Sequence, residues 1–285
     1  GRAAVSTFSN RLAGAVERHD SLVCVGLDPV PERLPAGISR DADGIVEFNR
    51  ALIEATADLA CCFKPNFAFY GALGGRGVDA LQQTIDAVPD DVPVLLDCKA
   101  GDIGSTAERW AHMAFVELGA HAITVNPYMG SDAVAPFLDY GDRGIFVLCH
   151  TSNPGAADFQ RLSVDGARPL HEHVARETLE WNQAHGNCGL VVGATRAGSM
   201  ARLRQLAPDL PFLVPGVGSQ GGDLEGAIGD GLRADGAGLL INASRSIIFA
   251  SDGADFAEAA RAATAELRQQ INAVREMVRG VAQSG

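Results

Sequence analysis

The chain has 285 residues, 47% apolar and 20% charged, which supplies a core and excludes extended disorder. A formal net charge of −12 excludes the basic footprint that nucleic acid requires, but not a small anionic ligand held by a few local arginines. No apolar run of about 18 residues is available to span a membrane, no stretch reads as a signal peptide, and six cysteines without regular spacing read as reduced, buried thiols of a cytoplasmic protein.

An amphipathic segment, Ser6–Arg18, comes first and is expected to plug the bottom of a barrel. Short apolar runs then recur at Leu22–Gly26, Ala60–Lys64, Pro93–Asp97, Ala122–Val125, Gly144–Cys149, Gly189–Val192, Phe212–Val214 and Gly238–Ile241. None alternates, as expected of parallel strands covered on both faces. Two-faced helical stretches lie between them, for example Gly44–Thr56, Asp79–Val88 and Thr106–Leu118. A long one, Phe256–Val278, follows the last strand and is expected to pack outside. Strands alternating with helices over this length predict a single (β/α)₈ TIM barrel across residues 1–285, with an N-terminal capping helix and a C-terminal helix. A doubly wound sheet is the alternative, but the first turn, Gly26-Leu27-Asp28-Pro29, lacks its glycine fingerprint.

Barrel chemistry sits at the C-terminal ends of the strands. That rule selects Asp28, Lys64, Asp97, Lys99, Asn126, the segment Thr151 to Ala156, the loop Pro215 to Gln220, and Arg245. The lysines stand out, because all but two of the 23 lysine-plus-arginine residues are arginine. Arginine is a permanently charged fork, whereas lysine can give up a proton. Lys64 and Lys99 both end apolar runs. Period two places Asp97 and Lys99 on one face, and Asp102 follows past a glycine, giving Asp-x-Lys-x-x-Asp. Flanking carboxylates favour a protonated Lys99, the state a proton donor needs. The alternative is a buried ion network that only holds register.

Two segments suit a phosphate. Pro215-Gly216-Val217-Gly218-Ser219-Gln220 follows the seventh strand and offers amide donors and close backbone approach. Ser244-Arg245-Ser246 follows the eighth, and Arg245 supplies a bidentate fork. The loop Thr151–Asp158 is a candidate lid. Tyr128, Met129 and the seven histidines read as structural. No His/Cys cluster has metal-ligand spacing.

With these motifs the chain resembles the orotidine 5′-phosphate decarboxylase family in its longer bacterial form. The most specific match is Asp97-Cys98-Lys99-Ala100-Gly101-Asp102-Ile103 with Thr106 following. Gly26-Leu27-Asp28-Pro29, Phe63-Lys64-Pro65-Asn66, Ser152-Asn153-Pro154-Gly155 and Pro215-Gly216-Val217-Gly218 agree in type and order. Ala100 departs from the arginine expected there. The resemblance implies conversion of orotidine 5′-monophosphate to UMP without cofactor or metal, with Lys99 protonating C6. It implies that Asp97 lies beside the departing carboxylate and that Asp28 and Lys64 contact the ribose. Ser152 would contact the pyrimidine, and Pro215, Gln220 and Arg245 the phosphate. Asp102 and Thr106 would enter a neighbouring subunit's site, hence a homodimer with shared active sites. The competing readings are a Mg²⁺-dependent sugar-phosphate decarboxylase or aldolase of the same barrel superfamily, a Schiff-base aldolase, and a barrel that binds a phosphate ligand without turnover.

Overall fold

The computed structural model describes residues 7–164, 166–194, 198–216 and 224–284, with side chains to residue 278. Its main sheet contains β1 (Val23–Leu27), β2 (Cys62–Pro65), β3 (Leu95–Ala100), β4 (Ala122–Val125), β5 (Gly144–His150), β6 (Cys188–Val192), β7 (Phe212–Val214) and β8 (Leu239–Ala243). All neighbours pair parallel and follow chain order, and β8 returns to pair with β1. Bridges Phe63↔Val94 and Asn66↔Asp97 join β2 to β3. The predicted (β/α)₈ barrel is present, with each predicted strand within a few residues of its observed position.

Near-continuous burial explains why the strands read as apolar runs rather than alternating ones. Residues facing inward, including Cys24, Cys62, Leu95, Phe146, Val191, Leu213 and Leu240, form a compact cluster distinct from the outer core. Phe8, on the N-terminal helix Phe8–His19, fills the bottom of that cluster edge-on to Phe146, ring centroids 5.6 Å apart. Room for Phe8 comes from Gly144, where a Cβ would lie 2.5 Å from the ring.

Helices cover the outside. Ala42–Thr56 starts where the Asp41 carboxylate accepts from Gly44 N at 3.0 Å. The C-terminal helix, Phe256–Ser284, packs outside the barrel. Phe256 stands against Phe48 at 5.2 Å, Arg261 forks the Asp58 carboxylate at 2.6 and 2.8 Å, and buried Arg275 donates to Asp20 and to the Gly236 carbonyl.

Three features differ from the sequence reading. The stretch Thr106–Leu118 is an α-helix, Gly104–His112, continued by a π turn, Met113–Glu117. After β5 the chain forms a short helix, Ala156–Phe159, and a two-stranded hairpin, Ser163–Val164 with Arg168–Pro169. Tyr128 and Met129, read as structural, lie largely at the surface, 77% and 49% exposed. All six cysteines are free thiols, and burial pushes Cys61, Cys62, Cys149 and Cys188 above the ordinary thiol range, as inert cysteines require.

Candidate active site

β2 and β3 deliver the charged centre. Lys64 Nζ lies 3.0 Å from Asp97 Oδ2, and Lys99 Nζ lies 2.7 Å from Asp97 Oδ1. One carboxylate thus bridges both lysines of the chain. Lys64 and Asp97 are buried, whereas the Lys99 side chain keeps 42% of its exposure and opens toward the mouth. Burial opposes charge on Asp97, but Lys64 and Lys99 outweigh it and hold its pKa well below the carboxylate range. Burial likewise opposes charge on Lys64, and Asp97 followed by Asp28 raises its pKa above the ordinary lysine value.

Simple alternation along β3 does not produce this pairing. Leu96 pairs with Ile123, and the next registered pair is Ala100 with Val125. Asp97, Cys98 and Lys99 therefore stand opposite a single residue, Thr124, in a bulge. Lys99 takes φ 47°, a left-handed backbone that costs an ordinary residue roughly 1–3 kcal/mol. Thr124 Oγ1 accepts from Cys98 N at 3.0 Å and Lys99 N at 2.9 Å, and donates to Asp97 Oδ1 at 2.9 Å. Ala100 is buried where the ladder resumes.

The end of β1 faces the same centre. Asp28 Oδ1 is buried without a hydrogen-bond partner among the described residues. Behind it, fully buried Tyr70 donates to the Leu27 carbonyl at 2.9 Å and accepts from Asn49 Nδ2 at 2.9 Å. Gly26 is required by close approach, since a Cβ there would lie 2.7 Å from Ser244 Cβ. Arg245 opens the turn after β8 with its side chain exposed, and Pro215 leads out of β7. Gln220 and most of the glycine-rich loop lie outside the described residues.

The remaining predicted residues are dispersed. Asp102 makes no ion pair with Lys99 among the described residues; its carboxylate accepts from Ile103 N at 2.8 Å. Thr106 is exposed on the helix that follows. Ser152 is exposed at the mouth, on a loop anchored where Gln160 Oε1 accepts from Thr151 N at 2.8 Å. His150 is buried and stacks on His171 at 4.2 Å, consistent with a structural role. Among the described residues no three His, Cys, Asp or Glu side chains converge as a metal-ligand set.

A model of the orotidine 5′-phosphate decarboxylase / HUMPS family matches residues 21–262. The chain belongs to this family. An orotidine 5′-phosphate decarboxylase of Thermomicrobium roseum is 51% identical over 277 residues, covering 97% of this chain and 99% of that one. One of Herpetosiphon aurantiacus is 53% identical over 255 residues, covering 89% and 94%. The solved structure of the Leishmania donovani OMP decarboxylase superposes with a TM-score of 0.84 at 46% identity, covering 94% of this chain and 98% of that chain. The family match spans the barrel from the start of β1 into the C-terminal helix, and so includes every residue of the charged centre.

Proposed function

We propose that this chain decarboxylates orotidine 5′-monophosphate to UMP, with Lys99 as the proton donor. The C6–carboxylate bond breaks, CO₂ leaves, and the electron pair stays on C6. The Lys99 ammonium transfers one proton to that carbon, and the resulting amine regains its proton from solvent. The observation that supports this most is the single buried carboxylate, Asp97, bridging both lysines of the chain. It fixes an ammonium in advance where carbanion-like charge develops, and a preorganised charge of this kind stabilises that charge without reorganisation. No electron sink from a cofactor or metal is then required.

In this reading Asp97 lies beside the departing carboxylate and, with Lys64, holds Lys99 in place. Asp28 and Lys64 bind the ribose, and the buried, unpartnered Asp28 Oδ1 suits a hydroxyl donor. Ser152 meets the pyrimidine. Pro215, Gln220 and Arg245 grip the phosphate, whose remote binding energy supports the step at C6. Asp102, which makes no ion pair with Lys99 among the described residues, and the exposed Thr106 complete the site of a second copy in a cytoplasmic homodimer. Relatives about half identical and named for this reaction favour it over the sugar-phosphate branch of the family.

An ultraviolet assay for loss of orotidine 5′-monophosphate, with EDTA present, tests the proposal. Wild-type turnover is expected to persist in EDTA. Lys99→Ala is expected to lower kcat by about 10³-fold or more while UMP still binds. Turnover that requires restored Mg²⁺, or a Lys99→Ala chain with near wild-type kcat, would sink it.

A further inference from the structure

We infer that Thr124 is a positioning residue that holds Lys99 in its working orientation; this rests on the role proposed for Lys99. Thr124 lies on β4, is fully buried, and belongs to none of the motifs singled out in the sequence. Its hydroxyl is used to capacity. The oxygen accepts two backbone N–H groups, those of Cys98 and Lys99, and its proton goes to Asp97 Oδ1. These two N–H groups sit in the bulge, where the register with β4 is broken. Thr124 replaces the missing strand partner from its side chain.

The same bulge contains the left-handed residue Lys99. Without the hydroxyl, two partly buried donors lose this acceptor beside the left-handed backbone of Lys99. Asp97 Oδ1, which receives both the hydroxyl and the Lys99 ammonium, loses one of these two donors. Thr124 therefore acts on Lys99 twice, through its backbone and through its carboxylate partner, without reaching the substrate.

Removal of the hydroxyl should lower kcat and leave substrate binding in place, because Lys64, Asp28 and the phosphate residues are untouched. Displacement of a reacting group by about 1 Å costs about 10²-fold in rate. Thr124→Val is expected to lose about that much kcat, with Kd for UMP within about threefold of wild type. Thr124→Ser is expected to restore kcat to within about tenfold, because it keeps the donor and both acceptors. The presence of only two lysines gives a second, substrate-free readout. Protein labelled with ¹⁵N-lysine shows two backbone amide signals, assigned by losing one of them in Lys99→Arg. Thr124→Val should move the Lys99 signal and leave that of Lys64 in place, and Thr124→Ser should return it.

An unchanged kcat in Thr124→Val, an unmoved Lys99 amide, or a serine variant as impaired as the valine one would each overturn the inference. If the valine chain does not fold, Thr124→Cys, a weak donor and weak acceptor, is judged by the same criteria. A wild-type chain that fails to consume orotidine 5′-monophosphate would count against the activity alone, because the amide comparison needs no substrate.

Discussion

Asp97 illustrates how much one side chain carries here. Its stabilising effect is fully present above an unfolded carboxylate value of about 4 and is lost only as pH falls through its depressed folded value. The effect of Lys64 is present below an unfolded value of about 10.4 and is lost only as pH rises through its raised folded value. The pair is therefore silent across the physiological range. His121 is not. Burial, then Arg11 and Arg143, lower its pKa to about 4, while its Nδ1 accepts from Val94 N at 3.0 Å. A neutral histidine must charge on unfolding, so stability is lost as pH falls from about 6.5 through 4. The loss is on the order of 1–2 kcal/mol after allowing for partial exposure, or roughly 3–6 °C in Tm. His121→Asn keeps an acceptor for Val94 and should flatten this part of the Tm-versus-pH curve; an unchanged slope would contradict the assignment. Lys64, Asp97 and Lys99 were legible in the sequence because the chain's two lysines ended apolar runs and Asp97 stands two residues before one of them. Thr124 was not, because a threonine inside a strand gives no sign that its hydroxyl will replace a missing ladder partner.

Elements were legible to different degrees, for physical reasons. The eight strands showed as apolar runs because helices cover one face and the barrel interior the other. β3 was read as ending at Asp97, but it continues through the bulge to Ala100. The polar residues at its end are what an apolar-run criterion leaves out, and they include Lys99, the proposed proton donor. The hairpin after β5 escaped notice because each of its strands is only two residues long. The N-terminal helix was found from its two-faced pattern, and its role can be tested. Phe8→Ala would empty the bottom of the inner cluster beside Phe146, at a cost of about 3–5 kcal/mol. The denaturation midpoint should fall accordingly while kcat of the folded fraction stays near wild type, because the plug lies at the end opposite the charged centre. A kcat loss at unchanged stability would contradict the plug role.

At the scale of the whole molecule, the separation of Asp102 from Lys99 within one chain has a direct test. Mixing inactive Asp102→Ala with inactive Lys99→Ala chains should recover up to about a quarter of wild-type activity once subunits exchange, since random pairing assembles hybrids with one intact site in two. No recovery after demonstrated exchange would rule out shared sites. The overall barrel followed from strand count and spacing, whereas the closure itself was invisible in the sequence. It lies at the seam where β1 meets β8: Cys24 registers with Asn242, whose Nδ2 donates to the Cys24 carbonyl across 218 positions, and Gly26 leaves space for Ser244. Asp28 and Arg245 stand on opposite sides of that seam. As the chain emerges from the ribosome, Lys64, Asp97, Lys99 and Thr124 are all present well before Arg245 is made. In the roles proposed above, the charged cluster is thus synthesised ahead of the arginine assigned to the phosphate, which only the last strand brings to the mouth.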